Sequence, residues 1–134
     1  MQVEVPPNAI VIRFRPVEPS RVMEWAAKEH RRTGRYRLSV FASVPSPGES
    51  DEAAEDRLLD AAGLAGIDLA RQAKYFVCTA GALLAAGFTF WKDEEPGELA
   101  EHYSVDLGDQ LTLAVVNRFL GQFGVARRLP WSRG

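Results

Sequence analysis

Cysteine is almost absent from this chain of 134 residues; Cys78 stands alone. One thiol cannot close an intramolecular disulfide, so nothing points to an oxidising compartment. Cys78 lies in an apolar stretch and reads as a small buried hydrophobe, with no base placed to make it a nucleophile. Histidine is nearly as scarce, with His30 and His102 only. Two histidines and one distant cysteine give no zinc-ligand spacing, and no metal or cofactor is expected. The phosphate-binding patterns GxGxxG and GxxxxGK[ST] are missing, as are HExxH, CxxC and GxSxG. Long apolar runs are missing too. The longest, YFVCTAGALLAAGFTFW, has 17 residues and contains Thr79, Gly81 and Gly87. A bilayer span needs about 20. The N-terminal MQVEVPPNAIVIRFRP lacks the regions of a signal peptide. A cytoplasmic location without a membrane partner is the expectation.

What is present is an ordinary globular balance, with 46% apolar and 25% charged residues. The length suits one domain with a real core. Size and composition together suit a small bacterial accessory protein. Charge is unevenly distributed. Residues 1–48 carry eight basic groups against four acids, residues 49–109 carry 14 acids against four basic groups, and residues 110–134 carry four arginines and no acid. These blocks total +4, −10 and +4. If the basic ends meet in the fold, the surface is bipolar.

Periodicity places the elements. Residues 9–15 alternate as a strand, with Ile10, Ile12 and Phe14 opposite Val11, Arg13 and Arg15. Pro19 suits the first turn of a helix that ends at Gly34, with Val22, Met23 and Ala26 inward and Trp25 at its edge. Residues 36–44 form a second strand, and the short joints suggest that the two strands run parallel. Ser50 caps an acidic helix running to about Gly63. Residues 69–86 fit either a strand followed by a short helix capped by Thr79 or one continuous helix. Residues 88–93 and 99–107 read as a hairpin turning at Pro96-Gly97. A last amphipathic helix, with Asp109 as N-cap, covers 111–124. The expected fold is a single α+β domain over 1–126, followed by a mobile tail, 127–134. Its core is a mixed sheet of four to five strands with helices mainly on one face, in the order β-α-β-α-(β-α)-β-β-α.

The other face would then be open. His102, Ser104 and Asp106 share one side of a strand, and Trp91 projects from its hairpin partner. With Arg13, Arg15 and Arg37 on the same face, this set would suit a metal-independent RNase. The arginines would hold phosphate, His102 would move protons and the indole would stack on a base. The polar side of a solvated strand looks the same. The run Lys28–Arg37 offers Arg31, Arg32 and Arg35 for phosphate or partner binding. The C-terminal Arg127, Arg128 and Trp131 make a similar set. Tryptophan and arginine are also the residues that protein interfaces favour. The leading expectation is therefore a non-enzymatic protein of adaptor, antitoxin or immunity type, binding a protein partner or a second copy as a homodimer. Nucleic acid is the alternative partner. A small molecule held near Gly81 and Gly87 is the third reading.

Overall fold

The computed structural model describes residues 1–14, 18–67, 74–92 and 99–128. Among the described residues seven strands form one antiparallel sheet. In chain order they are β1 (Gln2–Val3), β2 (Ile10–Arg13), β3 (Arg37–Ser43), β4 (Lys74–Thr79), β5 (Thr89–Trp91), β6 (His102–Asp106) and β7 (Arg127–Arg128). Their spatial order is β1-β5-β6-β3-β2-β4-β7. The described residues also form four helices: α1 (Pro19–Thr33), α2 (Asp51–Leu64), α3 (Ala80–Ala85) and α4 (Leu113–Leu120).

The alternation of side chains along β2 decides the layers. Val11 joins a core cluster with Leu38, Val40, Phe90 and Val105 under Val22 and Ala26 of α1, Leu83 of α3, and Val116 and Phe119 of α4. Ile10 and Ile12 point the other way and pack with Phe41, Tyr75 and α2 residues Ala54, Leu58 and Leu59. Three helices therefore cover one face. α2 covers only the β3-β2-β4 part of the other. The α+β class and the uneven helix coverage agree with expectation.

The parallel pairing does not. β2 and β3 are neighbours but antiparallel, with Ile10 opposite Ser43 and Ile12 opposite Phe41. β2 leaves, and β3 enters, at the same end of the sheet, so α1 is not a crossover between parallel strands. The true crossover is α2. It joins β3 to β4, which run parallel to each other on either side of β2. Both connections follow the same strand-helix-strand order, so chain order alone could not separate them.

Local signals placed most helix ends. Gly34 closes α1 at φ 81°, a left-handed conformation that a side chain rarely adopts. Ser50 caps α2, its side chain accepting from the Ala53 N–H at 3.1 Å. Thr79 caps α3 in the same way through Ala82, which settles the ambiguous stretch as strand then helix. Asp109 is not the cap of α4; Thr112 is, accepting from Val115 at 3.2 Å. Thr112 also offers a short polar side chain, and it stands immediately before the first helical residue. β1 and β7 have two residues each, too short for a periodic signal. Residues 127–128, expected in a tail, pair with Tyr75 and Lys74 of β4. The turn at Pro96-Gly97 and the rest of the tail lie outside the described residues.

Arg57 of α2 ties the β3–α2 loop. It donates to both carboxylate oxygens of Glu49, to the Ser43 hydroxyl and to the Val44 carbonyl. The guanidinium lowers the Glu49 carboxyl to about 2, helped by the Ser46 N–H.

Cys78 is buried on the three-helix face, opposite Val11. Burial pushes its thiol up to about 12, against the pull of Arg13. A thiol held neutral is a poor nucleophile. Native protein should therefore resist iodoacetamide at pH 8 and take up one equivalent in denaturant, read by mass spectrometry. Rapid native labelling would show that the thiol is exposed.

Candidate interaction surface

The hairpin side of the sheet carries the polar row that the alternation predicts. Arg37 stands opposite Asp106, Ser39 opposite Ser104 and Phe41 opposite His102. On the next strand Thr89 is opposite Asp106 and Trp91 opposite Ser104. Directly opposed residues point to one face. The structure thus brings Arg37, Ser39, Trp91, His102, Ser104 and Asp106 onto the face that α2 leaves partly uncovered.

Chemistry there is another matter. Arg37, Ser104 and Asp106 are all buried. The Asp106 carboxylate accepts from Arg35 at 2.8 Å and from the Gly108 N–H at 2.7 Å. The Arg35 guanidinium lies 3.9 Å from the Trp91 ring centroid, and the indole N–H donates to Thr89. Arg35, Trp91 and Asp106 form an internally matched cluster. His102 sits four residues along β6 from Asp106, about 13 Å at strand rise, with its ring 5.4 Å from Phe41. Its imidazole is therefore remote from the Arg37 row.

Arg13 is absent from this face. It is 5% exposed beneath the three-helix layer, with its guanidinium 5.4–5.6 Å from the ring centroids of Phe76, Phe119 and Phe123. Desolvation lowers it to about 10, so it stays charged at neutral pH, held by ring faces that favour a cation. The even-odd alternation of residues 9–15 gave Arg13 to one face correctly; it could not say which face the helices would cover. Arg15 and Trp131 lie outside the described residues.

The two basic segments do meet. β2 ends, β3 and β4 begin, and β7 ends at one end of the sheet. That end gathers Arg35, Arg37, Lys74 and Arg127, and the last turn of α1 contributes Arg31 and Arg32. Carboxylates of the same molecule answer several of them. Arg127 donates to both oxygens of the buried Glu55 at 2.5 and 2.7 Å, and Tyr75 adds its hydroxyl at 3.1 Å. Burial and that carboxylate raise the Tyr75 phenol to about 12. Arg32 pairs with Glu29 at 2.7 Å and Arg35 with Asp106.

A shallow cleft of about 200 Å³ opens between the end of α1 and the Gly108–Asp109 turn, where the His30 ring stacks on Tyr36 at 4.2 Å. The space beside Gly81 is taken by the chain itself. A Cβ there would stand 3.1 Å from the Pro7 carbonyl, and the Gly81 N–H donates to that oxygen. Gly87 has φ 95° after α3 and serves the turn. Both glycines thus have structural duties. Among the described residues no group of three or more His, Cys, Asp or Glu could hold a metal, and no helix is long and apolar enough to cross a membrane.

The outward sides of α1 and α2 carry rows of exposed charged side chains. On α1, Val22 and Ala26 face the core. Arg21, Trp25, Lys28 and Arg32 follow one another at four- and three-residue spacing, which stacks them along one exposed flank. Trp25 is 49% exposed. Arg21 and Lys28 form no salt bridge among the described residues. On α2, Leu58 and Leu59 face the core, and Glu52, Asp56 and Asp60 line the exposed side at four-residue spacing. They too have no salt bridge among the described residues. Because α1 and α2 cover opposite faces of the sheet, the basic and acidic stripes face away from each other. The acidic stripe was legible as Glu-x-x-x-Asp-x-x-x-Asp, but its placement opposite α1 was not.

Comparison with protein-family models, with curated proteins and with solved structures finds no match. The fold and surface define the chain as a single-sheet α+β protein bearing oppositely charged helices on its two faces.

Proposed function

We propose that this protein acts in the cytoplasm by protein–protein interaction, as an adaptor, antitoxin or immunity-type module, with the exposed flank of α1 as its binding element. The observation that carries this reading is the open Trp25 set among Arg21, Lys28 and Arg32. A desolvated tryptophan supplies much of an interface's binding energy, and surrounding charges select the partner and speed encounter. Basic residues around it call for an acidic partner surface.

A photo-crosslinking amino acid at position 25 tests this in cells. The expected result is a discrete protein adduct that disappears when Arg21→Glu and Lys28→Glu are added, with no such adduct from the same probe at Val125, which is 90% exposed. Equal labelling from both positions would remove α1 as the binding element.

The basic end of the sheet favours a second reading, nucleic-acid binding, in which the arginines hold phosphate while His102, at the other end of β6, takes no part. Its arginines are largely answered by Glu29, Glu55 and Asp106. Anisotropy of labelled single-stranded RNA separates the two readings. Strong binding that weakens steeply with salt would favour the second.

A further inference from the structure

We infer that the partner surface for α1 is α2 of a second copy of this chain, so that copies associate head to tail. This rests on the reading of α1 as the binding element and names what it binds. Charge complementarity is the argument. The α1 flank presents Arg21, Lys28 and Arg32 around Trp25, and the α2 flank presents Glu52, Asp56 and Asp60.

The dimensions agree. At helical rise, Arg21 to Arg32 spans about 16 Å and Glu52 to Asp60 about 12 Å, so the acidic row fits within the basic one. Ala53 and Gly63, exposed on the same side of α2, add no bulk to hold an approaching indole away. Two carboxylates temper the stripe without cancelling it: Glu29 engages Arg32, and the exposed Glu24 stands three residues after Arg21 and four before Lys28, so Arg21, Lys28 and Arg32 still outnumber them.

Symmetric pairing would set like charge against like, α1 on α1 or α2 on α2. Only the unlike pairing is complementary. Because the two helices cover opposite faces of the sheet, each copy that docks leaves one stripe open at each end. Such a heterologous contact grows into a chain unless its rotation closes a ring. One helix-on-helix contact is small, in the range of transient interfaces below about 1,200 Å². Association is therefore weak, concentration-dependent and sensitive to salt, which screens charges beyond about 8 Å at physiological strength.

Sedimentation velocity over a concentration series tests the inference, with Arg21→Glu/Lys28→Glu and Asp56→Lys/Asp60→Lys as charge reversals. The wild type should show a sedimentation coefficient that rises with concentration at low salt and falls back at high salt. Each reversal alone should weaken association by roughly tenfold or more. An equimolar mixture should restore it, because the unmodified α1 of one variant meets the unmodified α2 of the other, and the two reversed helices are complementary as well. Asp56→Asn/Asp60→Asn provides a milder α2 variant should the reversal lower the thermal midpoint. A wild type that stays monomeric, or folded variants whose mixture does not associate, overturns self-docking. If position 25 still crosslinks to a different protein, the binding reading stands and only the identity of the partner changes.

Discussion

Replacing Phe119 with alanine lowers the stability of the folded chain by about 3–5 kcal/mol, the usual range for truncating a buried aromatic. Phe119 is fully buried. Its ring meets Phe88 edge-on at 5.9 Å and Phe123 at 5.2 Å. It also stands beneath the Arg13 guanidinium. Truncation therefore opens a cavity and removes one of the rings that compensate a desolvated cation. α1 packs against α4, so the loss reaches the helix that carries Trp25. Chemical denaturation should show a lower midpoint with an unchanged slope. A change below about 1 kcal/mol would show that α4 is not a cornerstone of the fold.

Replacing Leu58 with alanine has the second large effect, about 2–5 kcal/mol. Leu58 is fully buried in the other cluster, where it joins Ile10, Ile12, Phe41 and Tyr75 beneath α2. Among the described residues α2 alone covers this face, with no neighbouring helix to brace it when loosened. The same helix supplies Glu55, which Arg127 and Tyr75 bind. Loss of Leu58 should therefore also weaken the anchoring of β7, seen as faster amide exchange at Arg127 and Arg128. Unchanged exchange there would mean that the C-terminal strand is held independently of α2. Trp25→Ala provides the contrast, because a surface substitution away from the core changes stability by less than about 0.5 kcal/mol. Any effect of Trp25→Ala on association is then a direct surface effect.

Much of the fold was legible because it rests on local rules. Ser50 and Thr79 cap helices because their hydroxyls reach the N–H three residues on. Gly34 ends α1 because the turn needs φ 81°. The alternation of β3 and β6 placed Arg37, Ser39, Ser104 and Asp106 on one face because successive side chains must point oppositely. The edge strands β1 and β7 escaped notice because two residues carry no period, and pairing depends on a neighbour far along the chain.

The sequence by itself determined α1, α2 and α4, the strands β2, β3, β5 and β6, the single sheet with helices, the blocks of charge, and which strand residues share a face, while β4 and α3 were left open between strand-then-helix and one helix. These depend on backbone geometry and on residues a few places apart. Only the tertiary structure decided that β2 and β3 run antiparallel, that Arg13 lies among aromatic rings rather than with Arg37, and that Glu55 and Asp106 answer Arg127 and Arg35. It also decided that the basic and acidic stripes lie on opposite faces. Each of these depends on which side of the sheet a helix covers, and that is set by burial summed over the whole chain rather than by any local pattern.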